Sequence, residues 1–208
     1  MKTRIVWIVV AMAMSNLLPA TGCELSECME GDCSEGPDTE NPDTGQHVQH
    51  FRYVLIRDLE DSESDSYGTN GVEIDGVELR HGGSANFADH VEFISFGSGE
   101  TDFQDQNQVL GTPEGTCETE DGNFVSLGGT GGTGGYLVVS FETASGDPQA
   151  IMNGDQVVVH ECGDTIEFYN VFIGLEVDIT GPHWHPCGQT MSGVATCTVI
   201  GLPEIPDQ

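Results

Sequence analysis

The chain has very little positive charge: its 208 residues include five Lys and Arg residues against 35 Asp and Glu residues. Lysine occurs once, at position 2, and the cations beyond residue 22 are Arg52, Arg57 and Arg80. This scarcity excludes nucleic acid as a partner, because nothing would neutralise the phosphates. It also excludes lysine Schiff-base and phosphate-clamp chemistry beyond residue 22.

Helical periodicity with caps at both ends is also absent, and so are the usual catalytic motifs. No G-x-S-x-G motif occurs, and the segment Gly97-Ser98-Gly99 has no nucleophile context. The acids are too dense for a glycosidase pair to be recognised among them. We therefore expect a protein that is not an enzyme. A secreted hydrolase, or an accessory domain of one, is the alternative.

The long apolar run of the chain is confined to the N-terminus, where it has the features of an export signal. Lys2 and Arg4 precede the apolar residues 5–14, a run shorter than the ~20 residues that span a bilayer. The sequence Leu-Leu-Pro-Ala-Thr-Gly-Cys over residues 17–23 then resembles a lipobox. We predict a signal peptide over residues 1–22 and lipidation of Cys23. Cleavage at the same bond without lipidation, which would give a secreted protein, is the alternative.

The cysteine count supports lipidation. The chain has seven cysteines, an awkward number in an oxidising compartment, and lipidation of Cys23 leaves six for three disulfides. Glu24, where an Asp would resemble an inner-membrane retention signal, favours the outer membrane of the cell envelope. The expected pairs are Cys28–Cys33 close to the anchor, Cys187–Cys197 around a turn-rich loop and, by elimination, Cys117–Cys162. Pairing of Cys28 and Cys33 with the domain instead stays open.

The remainder divides into a tether and one domain. Residues 23–50 are rich in Glu, Asp, Gly, Pro and Thr and contain almost nothing to bury, which predicts a disordered acidic tether. Residues 1–22 contain two of the five cations and no acid, so their removal changes the formal charge from −30 to −32. Residues 51–208 are long enough for one two-layer core.

The pattern of residues 51–208 is that of β-structure. Short apolar or alternating runs are separated by clusters of Gly, Asn, Asp and Pro, a spacing typical of a single β-sandwich or jelly roll. The runs are Phe51–Ile56, Val72–Leu79, Val91–Phe96, Phe124–Leu127, Tyr136–Phe141, Gln156–Glu161, Ile166–Ile173 and Ala195–Ile200. The sequence therefore predicts an all-β fold.

Five segments resemble a family of secreted bacterial cell-surface β-sandwich proteins that is common among myxobacteria and often carries lipoprotein signals. The segments are Val72–Leu79 (VEIDGVEL), Asp105–Gly115 (DQNQVLGTPEG), Phe124–Gly129 (FVSLGG), Gly135–Phe141 (GYLVVSF) and Asn153–Glu161 (NGDQVVVHE). The resemblance covers about residues 72–200. It implies an architecture similar to discoidin-like or galactose-binding-like jelly rolls, and it implies no activity.

Several acidic groups are candidate calcium ligands, because carboxylate and amide oxygens suit that ion. An acidic loop offers Asp61, Glu63 and Asp65 at alternating positions, although it lacks the turn glycine and final Glu of an EF-hand. Further candidates are Asp102, Asp105 and Asn107 as one group, and Asp155 with Glu161 as another. Solvated acidic surface is the alternative for every group.

His183 and His185 are candidate ligands of copper or zinc. At positions i and i+2 of an extended segment their side chains point the same way, and Trp184 between them is expected in the core. Only two ligands are visible locally, where such sites usually need three or four. Ordinary edge-strand histidines are the alternative.

These features together predict a cell-surface lipoprotein with a binding or structural β-sandwich, with calcium as the candidate cofactor. The expected partners are the membrane, through the lipid, and a glycan or an envelope protein. A binding protein should present aromatic side chains on one sheet face, and the aromatics of interest are Tyr67, Phe103, Tyr136 and Trp184.

Overall fold

The described part of the chain folds into ten β-strands and one short 3₁₀ helix. The computed structural model describes residues 50–59, 71–97, 103–114, 123–128, 134–163 and 167–205. Within these ranges the strands are β1 (Tyr53–Asp58), β2 (Glu73–His81), β3 (Ser84–Phe87), β4 (His90–Ser95), β5 (Val125–Ser126), β6 (Tyr136–Ser140), β7 (Gln156–Glu161), β8 (Tyr169–Gly174), β9 (Trp184–Pro186) and β10 (Ala195–Thr198). The 3₁₀ helix spans Gln106–Val109.

The strands form two antiparallel sheets that pack face to face, which confirms the predicted all-β sandwich. The first sheet has the order β4-β6-β1-β8-β9. The second has the order β10-β7-β2-β3, and the short β5 pairs with β2. None of the described residues belongs to a helix long and apolar enough to cross a bilayer. The signal peptide, Cys23, Cys28, Cys33 and the tether up to residue 49 lie outside the described residues.

Alternation of side chains along the strands builds the core between the sheets. In β1, Val54 and Ile56 are fully buried and belong to the core cluster, whereas Arg57 beside them is exposed. Val77 and Leu79 of β2 contribute in the same way from the second sheet. The two-residue alternation of side-chain direction along each strand therefore decides which of its residues enter the core.

The predicted strands and the observed ones differ mainly at short elements. The apolar run 124–127 pairs over Val125–Ser126 alone. The strand predicted to start at Phe51 starts at Tyr53, and Phe51 instead makes an isolated bridge to Ile151. Strands β3 and β9 were not predicted, because neither has an alternating apolar run of four or more residues.

Tyr169 ties β8 to the loop that leads to β10. Its side chain is fully buried, and its hydroxyl donates a hydrogen bond of 2.7 Å to the carbonyl of Gly193. Its backbone exchanges hydrogen bonds of 2.9 and 2.8 Å with Met191. Burial raises the pKa of Tyr169, so the hydroxyl stays a donor throughout the neutral range.

We expect Tyr169→Phe to lower the free energy of unfolding by about 1 kcal/mol, because it leaves a part-buried carbonyl without its hydroxyl donor. Urea unfolding followed by circular dichroism measures the change. Tyr53→Phe, at a half-buried tyrosine on the outer face of the first sheet, is the matched control and should stay within about 0.5 kcal/mol of the wild type. Equal losses in the two variants would contradict a specific role for the Tyr169 hydroxyl.

Candidate metal centre

Three glutamates from separate parts of the fold meet at one end of the sandwich. Glu73 begins β2, Glu161 ends β7, and Glu167 lies two residues before β8. One oxygen from each carboxylate lies within 4.8 Å of one oxygen from each of the other two. Among the described residues these three, the glutamate cluster, are the one group of three or more His, Cys, Asp and Glu side chains so arranged.

Strand pairing brings Glu73 and Glu161 together. Ile74 of β2 pairs with Glu161, and the Cys162 amide donates a hydrogen bond of 3.0 Å to the carbonyl of Glu73. A register shift between Ile74 and Gly76 interrupts the β2–β7 ladder just beyond this point. Such bulges re-aim side chains near the end of a strand pair.

Gly163 supplies the space that the three carboxylates fill. A Cβ atom at this position would overlap the Oε2 atom of Glu73, lie 2.7 Å from Oε1 of Glu161 and touch Oε2 of Glu167 at 3.6 Å. The Gly163 amide also donates a hydrogen bond of 2.7 Å to Oε1 of Glu161. The glycine therefore forms one wall of a cradle made of carboxylate oxygens.

The cluster is almost completely removed from solvent. The exposed fractions of Glu73, Glu161 and Glu167 are 1%, 5% and 0%. Desolvation, the charge of Glu73, a hydrogen bond to Glu73, and the charges of Glu161 and Asp58 raise the pKa of Glu167 to about 10. At neutral pH the site therefore needs either a retained proton or a bound cation to offset the mutual repulsion.

Two other buried carboxylates have histidine or arginine partners. Glu78 accepts hydrogen bonds from Arg80 at 2.6 and 3.1 Å and contacts His160 at 3.3 Å, and the bond to Arg80 is the main reason that its pKa is lowered. Asp155 contacts His81 at 2.9 Å and accepts a bond of 2.8 Å from the Met152 amide. The glutamate cluster differs because each of its carboxylates faces the other two carboxylates.

Hard divalent cations suit this donor set. Calcium binds oxygen ligands at about 2.3–2.6 Å, so ligands on opposite sides of one ion are up to about 5 Å apart. The separations within the cluster, below 4.8 Å, meet that condition. Zinc and copper sites draw on nitrogen and sulphur ligands, which this cluster lacks.

The other predicted calcium ligands are placed differently. Asp61, Glu63, Asp65 and Asp102 lie outside the described residues. Asp105 caps the 3₁₀ helix: its carboxylate accepts hydrogen bonds from the backbone and side-chain amides of Asn107 at 3.1 and 2.8 Å. These bonds lower the pKa of Asp105, and they use both residues for capping.

The structure does not bring Asp155 and Glu161 together as one site. Asp155 immediately precedes β7 and Glu161 ends it, so six residues of extended chain, about 20 Å, separate them. Glu161 belongs to the glutamate cluster, and Asp155 belongs to the turn that holds His81. Their shared grouping was wrong because closeness in sequence is distance along a strand.

The two histidines near β9 have unlike surroundings. His183 precedes the strand and lies 3.9 Å from a carboxylate oxygen of Glu176, whereas the ring of His185 packs edge-on against Phe51 at 5.2 Å. His185 thus points towards the core side, and Trp184 lies half-buried on the outer face of the first sheet. The expectation that Trp184 is a core residue was wrong, because the alternation of β9 has the opposite sense.

The described cysteines are disulfide-bonded. The predicted Cys187–Cys197 bond is confirmed, with 5.7 Å between the Cα atoms. Cys162 is also disulfide-bonded. Its pairing with Cys117 stays a prediction, because Cys117 lies outside the described residues.

Sequence reasoning missed Glu73 and Glu167 as members of the glutamate cluster. The signal was an acid inside or next to an apolar run: Glu73 stands between Val72 and Ile74, both fully buried. In a chain with 35 acids such a position carries little weight by itself.

Comparison with known proteins adds no relative. No protein-family model, no curated protein and no solved structure matches this chain. The fold and the cluster define its class as a two-sheet β-sandwich protein with a buried carboxylate centre.

Proposed function

We propose that this protein is a non-catalytic binding or structural β-sandwich of the cell envelope, braced by calcium at the glutamate cluster. The observation that carries the proposal is the meeting of three buried carboxylates around Gly163. A calcium ion there would join the start of β2, the end of β7 and the segment before β8. The ion would therefore act across strands of both sheets.

Burial of the cluster favours bracing over catalysis. A desolvated acid pair also occurs in hydrolases, but a catalytic acid must come within hydrogen-bond reach of its substrate. Glu73, Glu161 and Glu167 are at most 5% exposed, so a polymeric substrate does not reach them. A small dehydrated ion fits such a site.

The cell-envelope assignment rests on the N-terminal sequence. The run over residues 5–14 followed by the lipobox-like residues 17–23 supports export and lipidation of Cys23, and Glu24 favours the outer membrane. Lipid on Cys23 would make the membrane a partner. Metabolic labelling with a radioactive fatty acid tests this: a labelled wild type and an unlabelled Cys23→Ser variant are expected.

A thermal melt tests the calcium brace. We expect millimolar calcium to raise the Tm of the chain from residue 23, carrying Cys23→Ser, well above its value in EDTA at equal ionic strength. Calcium at 100 times its Kd would add about 2.7 kcal/mol to the free energy of unfolding. Sodium chloride at matched ionic strength controls for screening of the −32 charge. A rise that the salt alone reproduces would contradict the brace.

A further inference from the structure

An apolar row crosses the outer face of the first sheet, although this face points away from the core. Directly paired residues place their side chains on the same face, so the register defines a row across all five strands. This row consists of Phe93, Val138, Leu55, Phe172 and Pro186. Leu55 and Val138 are buried yet lie outside the core cluster, as expected where larger side chains on the same face cover them.

Trp184 extends this apolar surface over β8. Gly174, its partner on β8, allows the indole to lie against the backbone, because a Cβ there would overlap the six-membered ring. The indole nitrogen donates a hydrogen bond of 2.8 Å to the Asp178 carbonyl, which fixes the ring. Tyr53 lies on the other side of Gly174 in the same row. The face therefore presents a broad, fixed aromatic surface.

The same face carries one exposed cation in an otherwise acidic chain. Arg57 is exposed, and its guanidinium lies 5.6 Å from the ring centroid of Tyr136, its cross-strand partner. It forms no ion pair with any carboxylate among the described residues. Arg52 lines a groove at the edge of this face beside Tyr53. Arg57 is therefore the cation that this face offers to a ligand.

The outer face of the second sheet provides a contrast. There Arg80 is paired with Glu78, which also contacts His160 on the neighbouring strand. The cation on that face is therefore neutralised within the protein, whereas Arg57 on the first sheet is available to a partner.

Grooves lie at both edges of the aromatic face. One of about 360 Å³ is lined by Ser140 and His90 and also by the carboxylates Glu92 and Glu142, to which these two side chains bond. The other, of about 450 Å³, runs beside Phe172 and offers the polar side chains of Asn170, Gln189 and Thr190. Five strands span about 19 Å. The face is therefore wide enough for several linked sugar rings.

We propose that this face binds a glycan that is neutral apart from a single carboxylate group. The apolar faces of the sugar rings would stack on the aromatic side chains, and hydroxyls would meet the polar groups of the grooves. A carboxylate on the glycan would pair with the guanidinium of Arg57, whose planar fork matches it. The inference deepens the proposed function, because it rests on the chain being a non-catalytic binding protein.

Fluorescence titration tests the proposal. Trp184 is the only tryptophan beyond residue 22 and lies on the proposed face, so it reports binding directly. The probe is a galactose oligomer that ends in one galacturonic acid residue, compared with its methyl ester and with the neutral galactose oligomer, all in EDTA so that calcium plays no part. We expect saturable binding of the acid form. Arg57→Gln should weaken it at least about tenfold, and Arg80→Gln on the opposite sheet should change it less than about twofold.

The outcomes separate the two proposals. Equal binding of the ester or the neutral oligomer would overturn the carboxylate recognition, and no binding of any oligomer would overturn the glycan face. Dimerisation in analytical ultracentrifugation that Arg57→Gln or Phe172→Ala abolishes would assign the face to a second copy of the chain instead. Mass spectrometry of the recovered oligomer tests the proposed non-catalytic function separately. Shortened oligomers would show that the protein is a hydrolase, whereas intact oligomers that do not bind would leave the non-catalytic assignment in place.

Discussion

Glu167→Gln is expected to raise the free energy of unfolding by about 2–3 kcal/mol at pH 7 in EDTA. In the folded chain, burial and the neighbouring carboxylates raise the pKa of Glu167 to about 10, against an ordinary value of 4.5. At pH 7 the folded state therefore holds a proton that the unfolded state has released, which lowers stability. Glutamine carries no such penalty, and its amide can donate to Glu73 as a protonated carboxyl does.

The same shift predicts a pH dependence with a defined sign. A carboxyl whose folded pKa is raised contributes stability that is complete below about pH 4.5 and is lost as the pH rises towards 10. In EDTA the wild type should lose stability between pH 5 and pH 8, and Glu167→Gln should lose less. Urea unfolding at each pH measures this. Glu176→Gln, at an exposed glutamate, is the matched control and should follow the wild type.

Calcium should reverse the order of the two proteins. A cation among the three glutamates would replace the proton and remove the repulsion, so the wild type gains stability and Glu167→Gln gains little. Two results would contradict this account: an equal calcium response in both proteins, or a Glu167→Gln variant less stable than the wild type in EDTA at pH 7. The first result would show that calcium does not bind at the cluster. The second would show that repulsion among the three carboxylates does not destabilise the fold.

The fold was predictable because every strand that contributes to the core contains a short apolar or alternating run. In β7, Val157 and Val159 face inward and Val158 between them faces outward. The run Gln156–Glu161 therefore predicted both the strand and its bounds. The three-residue β9 has no apolar run of its own, and it takes its strand conformation at the sheet edge by pairing with β8. No local pattern could show that tertiary cause.

The candidate site was only partly predictable, for a physical reason. Alternation from Val157 places Glu161 on the inner face, so its burial follows from the sequence. Glu73 lies beside a bulge, where the period of two fails and the direction of a side chain depends on the partner strand. Glu167 lies just before β8, a strand of the other sheet, so it meets them only when the two sheets pack, and spacing along the chain does not encode that.

The second large effect is expected from the Cys187–Cys197 disulfide, because it joins the two sheets. Cys187 directly follows β9, the edge strand of the first sheet, and Cys197 lies within β10, the edge strand of the second. Both cysteines are core residues with exposed fractions of 2% and 4%. The bond thus closes one edge of the sandwich.

The double variant Cys187→Ala/Cys197→Ala should lower the free energy of unfolding by about 3 kcal/mol, since the loop closed by the bond spans ten residues in sequence. For a domain of this size the Tm should fall by about 6–12 °C. Differential scanning calorimetry measures the change. The predicted tether pair supplies the control: Cys28→Ala/Cys33→Ala should shift the Tm by no more than about 2 °C. Comparable losses from both double variants would show that the tether cysteines also stabilise the domain, and no loss from the first would show that the packed sheets hold this edge without the bond.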